Sequence, residues 1–205
     1  RAASEILHDD DEIPEELRKQ FLQNIISESD RLNRLIDKIL DLEKLETGKQ
    51  KIYVIESNII QTIQNAVNPL QQMFSNKSIS FTFKDKDQEI YCLYDEERII
   101  QVVTNLVSNA IKFCSDNNGI ITVEVENDLD QVSILVYNNG KNVTPEDLET
   151  IFDKFYQSQN QNIKKPIGSG LGLAISRQIV ELHQGKIWAT NHETSGVTFT
   201  FTLPK

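Results

Sequence analysis

The feature that most constrains this chain is a cluster of glycines at the start of a helix. Gly168, Gly170 and Gly172 are three of its eight glycines, and an apolar helical run follows over residues 171–180. A glycine-rich turn that leads into a helix presents unpaired backbone N–H groups and the positive end of the helix dipole, which together bind phosphate oxygens. Glycines in such a turn can also serve only to let the backbone bend. Other motifs must decide between a phosphate site and a simple turn.

An upstream helix carries a polar stripe that favours the phosphate site. Residues 95–114 predict one helix, because apolar residues recur there at spacings of three and four. Asn105, Asn109 and Lys112 stand together on its other side. Asparagine is a poor helix former, so two in register suggest oxygen ligands for a hard cation such as Mg²⁺, with Lys112 placed to reach a phosphate. The alternative is a solvated helix face rich in asparagine. Together the two motifs favour a Mg-nucleotide site.

Composition limits the partners that this chain can have. Its net charge of −10 argues against binding to nucleic acid or to an anionic membrane surface. No apolar stretch approaches the roughly 18 to 20 residues that span a bilayer, and no secretory signal is present. Cys92 and Cys114 lack metal-ligand spacing and indicate buried free thiols in a reducing compartment. We therefore expect a cytoplasmic chain, or the cytoplasmic part of a membrane-bound receptor, without nucleic-acid or membrane contact of its own.

The N-terminal part predicts a long helix over residues 15–46. Two apolar series repeat there every seven residues: Ile25, Leu32 and Ile39, and Phe21, Leu35 and Leu42 with Glu28 as an interruption. A helix of ~45 Å, at 1.5 Å per residue, cannot bury such a seam alone. We therefore expect a helical hairpin that pairs with a second chain. Packing of the seam onto the chain's own globular part is the alternative.

The remainder predicts alternating helices and strands after a break at Thr47 and Gly48. The expected elements are a strand-like stretch at 51–54, a helix at 59–74, strands at 79–83 and 90–93, the asparagine-bearing helix, a hairpin of 120–126 with 132–138, a short helix at 145–152, the helix after Gly172, and a last strand pair at 186–190 and 197–203. Clean alternation of apolar residues predicts a mixed sheet covered by helices on one side.

Four motifs, in this order along the chain, resemble those of a known family. The stretches 105–113, 136–143, 151–156 and 168–173 resemble the N box, the first glycine box, the F box and the second glycine box of the sensor histidine kinases. The ATPase domain of that family is related to those of gyrase and mismatch-repair proteins. Residues 27–48 resemble the second dimerisation helix of the same family, so the resemblance covers essentially the whole chain.

The resemblance implies a two-part α+β architecture. Residues 1–48 would form a partial dimerisation and phosphotransfer hairpin, part of a dimeric four-helix bundle whose first helix is truncated. Residues 49–205 would form an ATP-binding catalytic domain, an α/β sandwich of the gyrase and histidine-kinase type. The implied partners are a second copy of the chain, through residues 1–48, and the receiver domain of a response regulator.

The resemblance also implies a set of site residues, with ATP and Mg²⁺ as cofactors. Asn109 would bind the metal, Asn105 and Lys112 would support the phosphates during catalysis, and Asn138 would contact the base. The other implied nucleotide-binding residues are Gly140, Phe152, Tyr156, Gly168, Gly170, Leu171 and Gly172. The polar stretch 157–167 would be the lid that closes over ATP and orders when it binds.

Two positions depart from the family pattern. Asn138 stands where the family usually has Asp, and losing that charge on the hydrogen-bond acceptor would cost about 1 kcal/mol of affinity. Asn142 replaces a common glycine, and asparagine tolerates positive φ better than most residues. The family's phosphoacceptor histidine is expected to be absent, because His8 has the wrong spacing for it. His183 is expected to cap a helix C-terminus as a cation that suits the helix dipole.

We therefore expect an ATP-dependent protein-histidine kinase core that transfers the γ-phosphoryl group to a histidine of the truncated helix, from which it passes to an aspartate of a response regulator. The alternative is a degenerate, weakly nucleotide-binding regulatory module that acts as a scaffold, which Asn138 and Asn142 motivate. A dinucleotide-binding oxidoreductase fails on spacing, because the glycines are arranged as Gly-x-Gly-x-Gly and no strong strand leads into them.

Overall fold

The computed structural model describes residues 14–84, 89–116, 118–157 and 168–205. The chain divides into two compact units, Arg1–Glu43 and Lys44–Lys205. The expectations for the truncated first helix with His8, and for most of the lid, fall on residues 1–13 and 158–167, outside the described residues. Among the described helices, none combines the length and apolar character that crossing a membrane requires.

The long N-terminal helix forms where the heptad pattern predicts it. Helix α1 spans Glu15–Glu46, with Glu15 and Glu16 in its first turn and Lys44 in its last turn, as the helix dipole favours. Seven large apolar side chains of α1 are between 38% and 56% exposed within this single chain: Leu17, Leu22, Ile26, Leu32, Ile36, Ile39 and Leu40. A helix of this length with so much exposed apolar surface is typical of a bundle partner.

The second unit is built on two sheets. Its strands are β1 (Ile55–Asn58), β2 (Ser80–Phe83), β3 (Tyr91–Tyr94), β4 (Ile120–Asn127), β5 (Gln131–Asn138), β6 (Ile187–Asn191) and β7 (Val197–Pro204). The five-stranded sheet has the order β2-β4-β5-β7-β6, and only its β2–β4 pair is parallel. The predicted mixed sheet is therefore confirmed.

Five α-helices accompany these strands in the described part of the chain. They are α2 (Ile59–Val67), α3 (Gln71–Asn76), α4 (Glu96–Phe113), α5 (Asp147–Thr150) and α6 (Gly172–Leu182). Helix α4 contacts α2, α6 and β5. Its apolar stripe is fully buried, from Ile99 to Ile111, and the inward side chains of β4 and β5, such as Val123 and Val136, are buried too. This core fixes the rotation of α4 and so decides where its polar stripe lies.

Two elements differ from the sequence prediction. The single helix expected at 59–74 is broken, because a 3₁₀ turn over Asn68–Leu70 contains Pro69, which has no backbone N–H for the helical ladder. The strand-like stretch expected at 51–54 is irregular, and the strand begins at Ile55.

Strands β1 and β3 form a separate antiparallel pair that the sequence did not predict. Tyr94 of β3 is fully buried, and its hydroxyl lies 2.7 Å from Thr62 Oγ1 of α2. Burial raises the pKa of Tyr94, and burial also raises the pKa of the neighbouring Cys92 thiol to about 11. Cys92 is thus a buried free thiol, as expected, whereas Cys114 is only half-buried.

Candidate functional site

The site is built from one face of α4. Asp95 caps the helix, with Oδ1 accepting from Arg98 N at 3.2 Å. On the side away from the core, Asn105 and Asn109 are half-buried and Lys112 is exposed. The predicted stripe of two amides and one ammonium therefore exists, and the buried stripe behind it holds it in place.

Asn105 joins α4 to the start of α6. Its Nδ2 donates to the carbonyl oxygen of Gly172 at 3.2 Å and lies 3.4 Å from Ser176 Oγ. Ser176 is fully buried, and its hydroxyl donates to the same Gly172 carbonyl at 3.0 Å. Asn105 therefore positions the glycine turn, and its direct support of phosphates stays a prediction. Sequence reasoning missed Ser176, although a hydroxyl four residues after Gly172 in an apolar run was a signal for it.

The other two residues of the stripe, Asn109 and Lys112, are half-buried and exposed, respectively. Within the part of the chain that the structure describes, the Asn109 side chain makes no hydrogen bond. A β-carbon built on Gly168 would lie 4.0 Å from Lys112 Nζ, so the ammonium lies beside the glycine turn. The structure thus brings the positive charge of Lys112 close to the predicted phosphate seat, and metal binding by Asn109 stays a prediction.

The glycine turn packs directly against the F box. Gly170 has φ +69°. A β-carbon there would lie 2.7 Å from the Phe155 backbone and 2.8 Å from the backbone carbonyl oxygen of Tyr156. Phe155 N donates to Gly170 O at 3.0 Å, and Gln157 Nε2 donates to Gly168 O at 3.1 Å. A side chain at Gly170 would therefore separate two segments that the site needs in contact.

Helix α6 begins without a side-chain cap. Leu171 stands at the N-cap position and is fully buried, and its side chain makes no capping hydrogen bond, while Leu171 N donates to Ser169 Oγ at 3.4 Å. Backbone N–H groups without a partner at a helix start, together with the helix dipole, favour an anion. The geometry predicted from the glycine cluster is therefore present at Gly172.

Asn138 supplies a buried donor that lacks a partner. It ends β5 in the centre of the sheet, is 1% exposed, and its Nδ2 makes no hydrogen bond. Among the described residues, only Gln50 Oε1 shares this condition. A buried polar group without a partner costs about 1 to 3 kcal/mol, so an acceptor atom on a ligand would relieve that cost.

The first glycine box closes tightly over Asn138. A β-carbon on Gly140 would lie 1.8 Å from Phe113 O and 2.8 Å from Asn138 Nδ2. The neighbouring Asn139 fixes the same loop, because its Oδ1 accepts from Ile120 N at 2.8 Å. Only glycine fits between the end of α4 and the amide of Asn138.

Asn142 was expected to occupy a turn position with positive φ, because it replaces a common glycine. The structure does not give Asn142 a positive φ. The non-glycine residues with positive φ in the described chain are Ser78, Asn118, Phe155 and Gln184. Asn142 instead donates through Nδ2 to His192 O at 3.0 Å. The turn therefore needs no glycine at this position.

The two F-box aromatic residues predicted for nucleotide binding make protein contacts. Phe152 is buried, with its ring edge against Phe199 at 6.2 Å between centroids. The Tyr156 hydroxyl donates to Asp147, and this hydrogen bond raises the pKa of Tyr156. Ligand contact by Phe152 and Tyr156 stays a prediction, as it does for the buried Leu171.

His183 lies at the C-terminal end of α6, as expected, but not as a cation. Its Nε2 accepts from Asp95 N at 3.0 Å, while Nδ1 lies 2.7 Å from Ile179 O. A ring that accepts through Nε2 and donates through Nδ1 is neutral. The expected interaction between a charged His183 and the helix dipole is therefore wrong.

These residues fit a magnesium nucleotide. The donor Asn138 Nδ2 lacks a partner, the N-terminus of α6 is open, and Lys112 lies beside the turn. The described residues contain no cluster of three or more His, Cys, Asp or Glu side chains that would hold a metal alone. Mg²⁺ often relies on few protein ligands plus phosphates and water, so Asn109 Oδ1 would be the protein ligand of a magnesium ion bound here.

Comparison with known proteins identifies the family to which this fold belongs. Residues 94–205 match the family described as "Histidine kinase-, DNA gyrase B-, and HSP90-like ATPase", and residues 1–48 match the "His Kinase A (phospho-acceptor) domain". The fold and these matches thus define the class of the chain, that of the histidine-kinase-like and gyrase-like ATPase domains. More narrowly, the chain belongs to the sensor histidine kinase family.

Individual relatives carry the same description. Sensor histidine kinase WalK of Bacillus subtilis (strain 168) is 30% identical over 192 residues, which are 92% of this chain and 31% of that protein. Sensor protein kinase WalK of Staphylococcus aureus (strain MRSA252) is 32% identical over 193 residues, 93% of this chain and 31% of that protein. The chain therefore spans about a third of the length of these relatives.

Solved structures share the fold. The nucleotide-free catalytic domain of histidine kinase ThkA superposes with a TM-score of 0.65 at 33% identity, over 75% of this chain and 98% of that domain. ThkA in complex with the response regulator TrrA superposes with a TM-score of 0.74 at 32% identity, over 97% of this chain and 53% of that chain. Full-length ShkA in complex with AMPPNP superposes with a TM-score of 0.77 at 21% identity, over 94% of this chain and 40% of that chain. At this identity the similarity is one of fold alone.

We predict that Gly140→Ala is destabilising and Gly172→Ala is not. The new β-carbon of Gly140→Ala would meet Phe113 O at 1.8 Å, and overpacking of this kind costs about 1 to 3 kcal/mol. In Gly172→Ala the nearest Asn105 atoms lie at 3.7 Å, an ordinary contact, and alanine favours the helix. Urea denaturation of both variants measures the difference, and equal midpoints would contradict the close approach at Gly140.

Proposed function

We propose that this chain is the kinase core of an ATP-dependent protein-histidine kinase, which binds Mg-ATP between α4 and the glycine turn and transfers the γ-phosphoryl group to a histidine. One observation carries the proposal. The Asn105–Gly172 hydrogen bond of 3.2 Å joins the amide stripe of α4 to the uncapped start of α6. This contact supports a shared site, because Asn109 lies one turn after Asn105 on α4 and the first-turn N–H groups follow Gly172 on α6.

Each residue of the site has a distinct proposed role. Asn109 Oδ1 binds Mg²⁺, and Lys112 with the first-turn N–H groups of α6 neutralises phosphate charge. Asn138 would hydrogen-bond the adenine base, with Oδ1 as the acceptor. Bound Mg-ATP supplies the phosphoryl group, and such transfer asks the protein for positioning and charge neutralisation more than for covalent chemistry. The AMPPNP bound to ShkA is consistent with a nucleotide in this fold.

We further propose the domain division that the sequence predicts, with residues 1–48 for dimerisation and phosphotransfer and residues 49–205 for ATP binding. The His Kinase A match to residues 1–48 supports the first part, and so does the exposed apolar seam of α1. A homodimer and a response-regulator receiver domain are the proposed partners. The complex of ThkA with the response regulator TrrA supports the second of these.

One observation favours the alternative of a weakly binding regulatory module. The base-contacting position carries the neutral Asn138, where the family usually has a carboxylate. A neutral acceptor forms weaker hydrogen bonds than a charged one. The affinity for Mg-ATP therefore separates the kinase from a degenerate scaffold.

We expect Mg-ATP to stabilise the chain and Asn109→Ala to weaken this effect. At about 100 times Kd, binding adds about 2.7 kcal/mol, which raises Tm by roughly 5 to 10 °C for a chain of this size. Asn109→Ala should raise Kd about tenfold, because the metal loses its amide ligand. Titration with Mg-ATP while Tm is followed measures both.

The matched control is Asn127→Ala, which removes an exposed amide at the opposite end of the β4–β5 hairpin from Asn138. Its Kd should equal that of the unsubstituted chain. No change of Tm at millimolar Mg-ATP in the unsubstituted chain would remove the kinase proposal and favour the scaffold.

Replacing Asn138 by Asp should tighten nucleotide binding while destabilising the empty protein. The carboxylate would accept a charge-assisted hydrogen bond from the adenine amine, worth about 1 kcal/mol or about fivefold in Kd. Without nucleotide, a charge at a site that is 1% exposed lowers stability. Calorimetric titration and urea denaturation measure the two effects. Asn127→Asp, the same change on an exposed residue, should show neither, and unchanged affinity in Asn138→Asp would refute the assigned base contact.

A charge in the exposed seam of α1 should weaken a homodimer. Leu32 is 56% exposed in the single chain, and burial of a leucine side chain contributes about 1.5 to 3 kcal/mol per copy. Leu32→Glu should therefore raise the dimer dissociation constant roughly tenfold or more, as measured by sedimentation equilibrium. Asn33→Glu places the same charge on the adjacent exposed residue and should have a much smaller effect. A monomeric unsubstituted chain would contradict the proposed dimer.

A further inference from the structure

Asp95 connects three parts of the second unit. It is 7% exposed, and its Oδ1 caps α4 through Arg98 N. Its Oδ2 accepts from Tyr53 N at 2.8 Å. Its own backbone N–H donates to His183 Nε2 at 3.0 Å. One residue thus contacts the start of α4, the end of α6 and the irregular segment 51–54.

Helices α4 and α6 are tied to each other at two levels. Near the proposed nucleotide site, Asn105 Nδ2 donates to the carbonyl oxygen of Gly172 at the start of α6. At the other end of the pair, the backbone N–H of Asp95 at the start of α4 donates to His183 Nε2 at the end of α6. Asn105 lies ten residues after Asp95, or ~15 Å along a helix. The two helices are therefore antiparallel and form a frame whose movement at one level changes the geometry at the other.

Segment 51–54 is attached to this frame mainly through its backbone. The Tyr53 side chain is 76% exposed and Val54 is 45% exposed, so neither is held by burial. A cavity of about 300 Å³ is lined by Ile52 and Val54 on one side and by Leu182 and His183 on the other. The Tyr53–Asp95 hydrogen bond is therefore the polar contact that holds the segment against the start of α4, among the described residues.

We propose that Asp95 is a positioning residue that couples the conformation of segment 51–54 to nucleotide binding. The inference rests on the proposed function, because it concerns the same nucleotide site. Segment 51–54 follows α1 in the chain, so a change of conformation that passes along the backbone from α1 reaches the frame through it. By thermodynamic linkage, the factor by which the Tyr53–Asp95 bond changes the affinity for Mg-ATP equals the factor by which bound Mg-ATP changes the stability of that bond.

Tyr53→Pro tests this coupling directly, because proline removes the N–H donor and leaves the Asp95 cap of α4 in place. Tyr53→Ala is the matched control, since it keeps the N–H and deletes a mostly exposed side chain. Tyr53→Pro should raise the Kd for Mg-ATP about fivefold, which is the low end of the range typical of coupling between two sites. The Kd of Tyr53→Ala should stay within about twofold of that of the unsubstituted chain.

Two further readouts separate coupling from a merely structural role. Hydrogen exchange of the Tyr53 amide in the unsubstituted chain should slow about fivefold when Mg-ATP saturates the site. Asp95→Asn keeps one oxygen for the cap of α4 and lacks the second acceptor, so it should show the same loss of affinity as Tyr53→Pro. The double variant should lose no more than either single variant, because both remove one interaction.

The outcomes are distinguishable. Equal Kd values for Tyr53→Pro and Tyr53→Ala, with Tyr53 exchange unaffected by Mg-ATP, would overturn the coupling and leave the proposed function intact. Absence of Mg-ATP binding by the unsubstituted chain would overturn the proposed function and the coupling with it. If Tyr53→Pro does not fold, the Kd of Asp95→Asn and the exchange of the Tyr53 amide decide the question.

Discussion

The hydrogen bond from Asn105 to the carbonyl of Gly172 is the interaction on which the site depends. It joins two motifs that lie far apart in sequence, the amide stripe of α4 and the glycine turn of α6. Ser176 binds the same carbonyl from within α6, so that oxygen is held from both sides. Without this contact, no hydrogen bond between these two motifs would join the asparagine-bearing face of α4 to the start of α6.

The site also retains unfavourable features that a ligand would relieve. Asn138 buries an Nδ2 donor without a partner, and α6 begins with no capping side chain. Both conditions cost stability in a protein that binds nothing. Their position beside Gly140 and Gly172 is therefore more consistent with a binding site than with a purely structural domain.

Local sequence patterns predicted most of the fold and the contents of the site. Periodicity placed α1, α4 and the β4–β5 hairpin, and helical spacing brought Asn105, Asn109 and Lys112 to one face. What could not be predicted depends on distant partners. The pairing of β1 with β3, and the bond between Asp95 and His183 across 88 residues, have no local signal. His183 was misjudged for the same reason, because its protonation follows from a donor on another helix.

The two levels of the α4–α6 frame use uncharged groups on both sides of each bond: a carboxamide with a carbonyl, and a backbone N–H with a neutral imidazole. Mobile ions screen interactions between charges and act only weakly on contacts between uncharged dipolar groups. Changes in ionic strength should therefore alter how strongly Lys112 attracts an anion while leaving the spacing of the two helices unchanged. The contacts that set the spacing of α4 and α6 are thus distinct from the charge that would attract an anion.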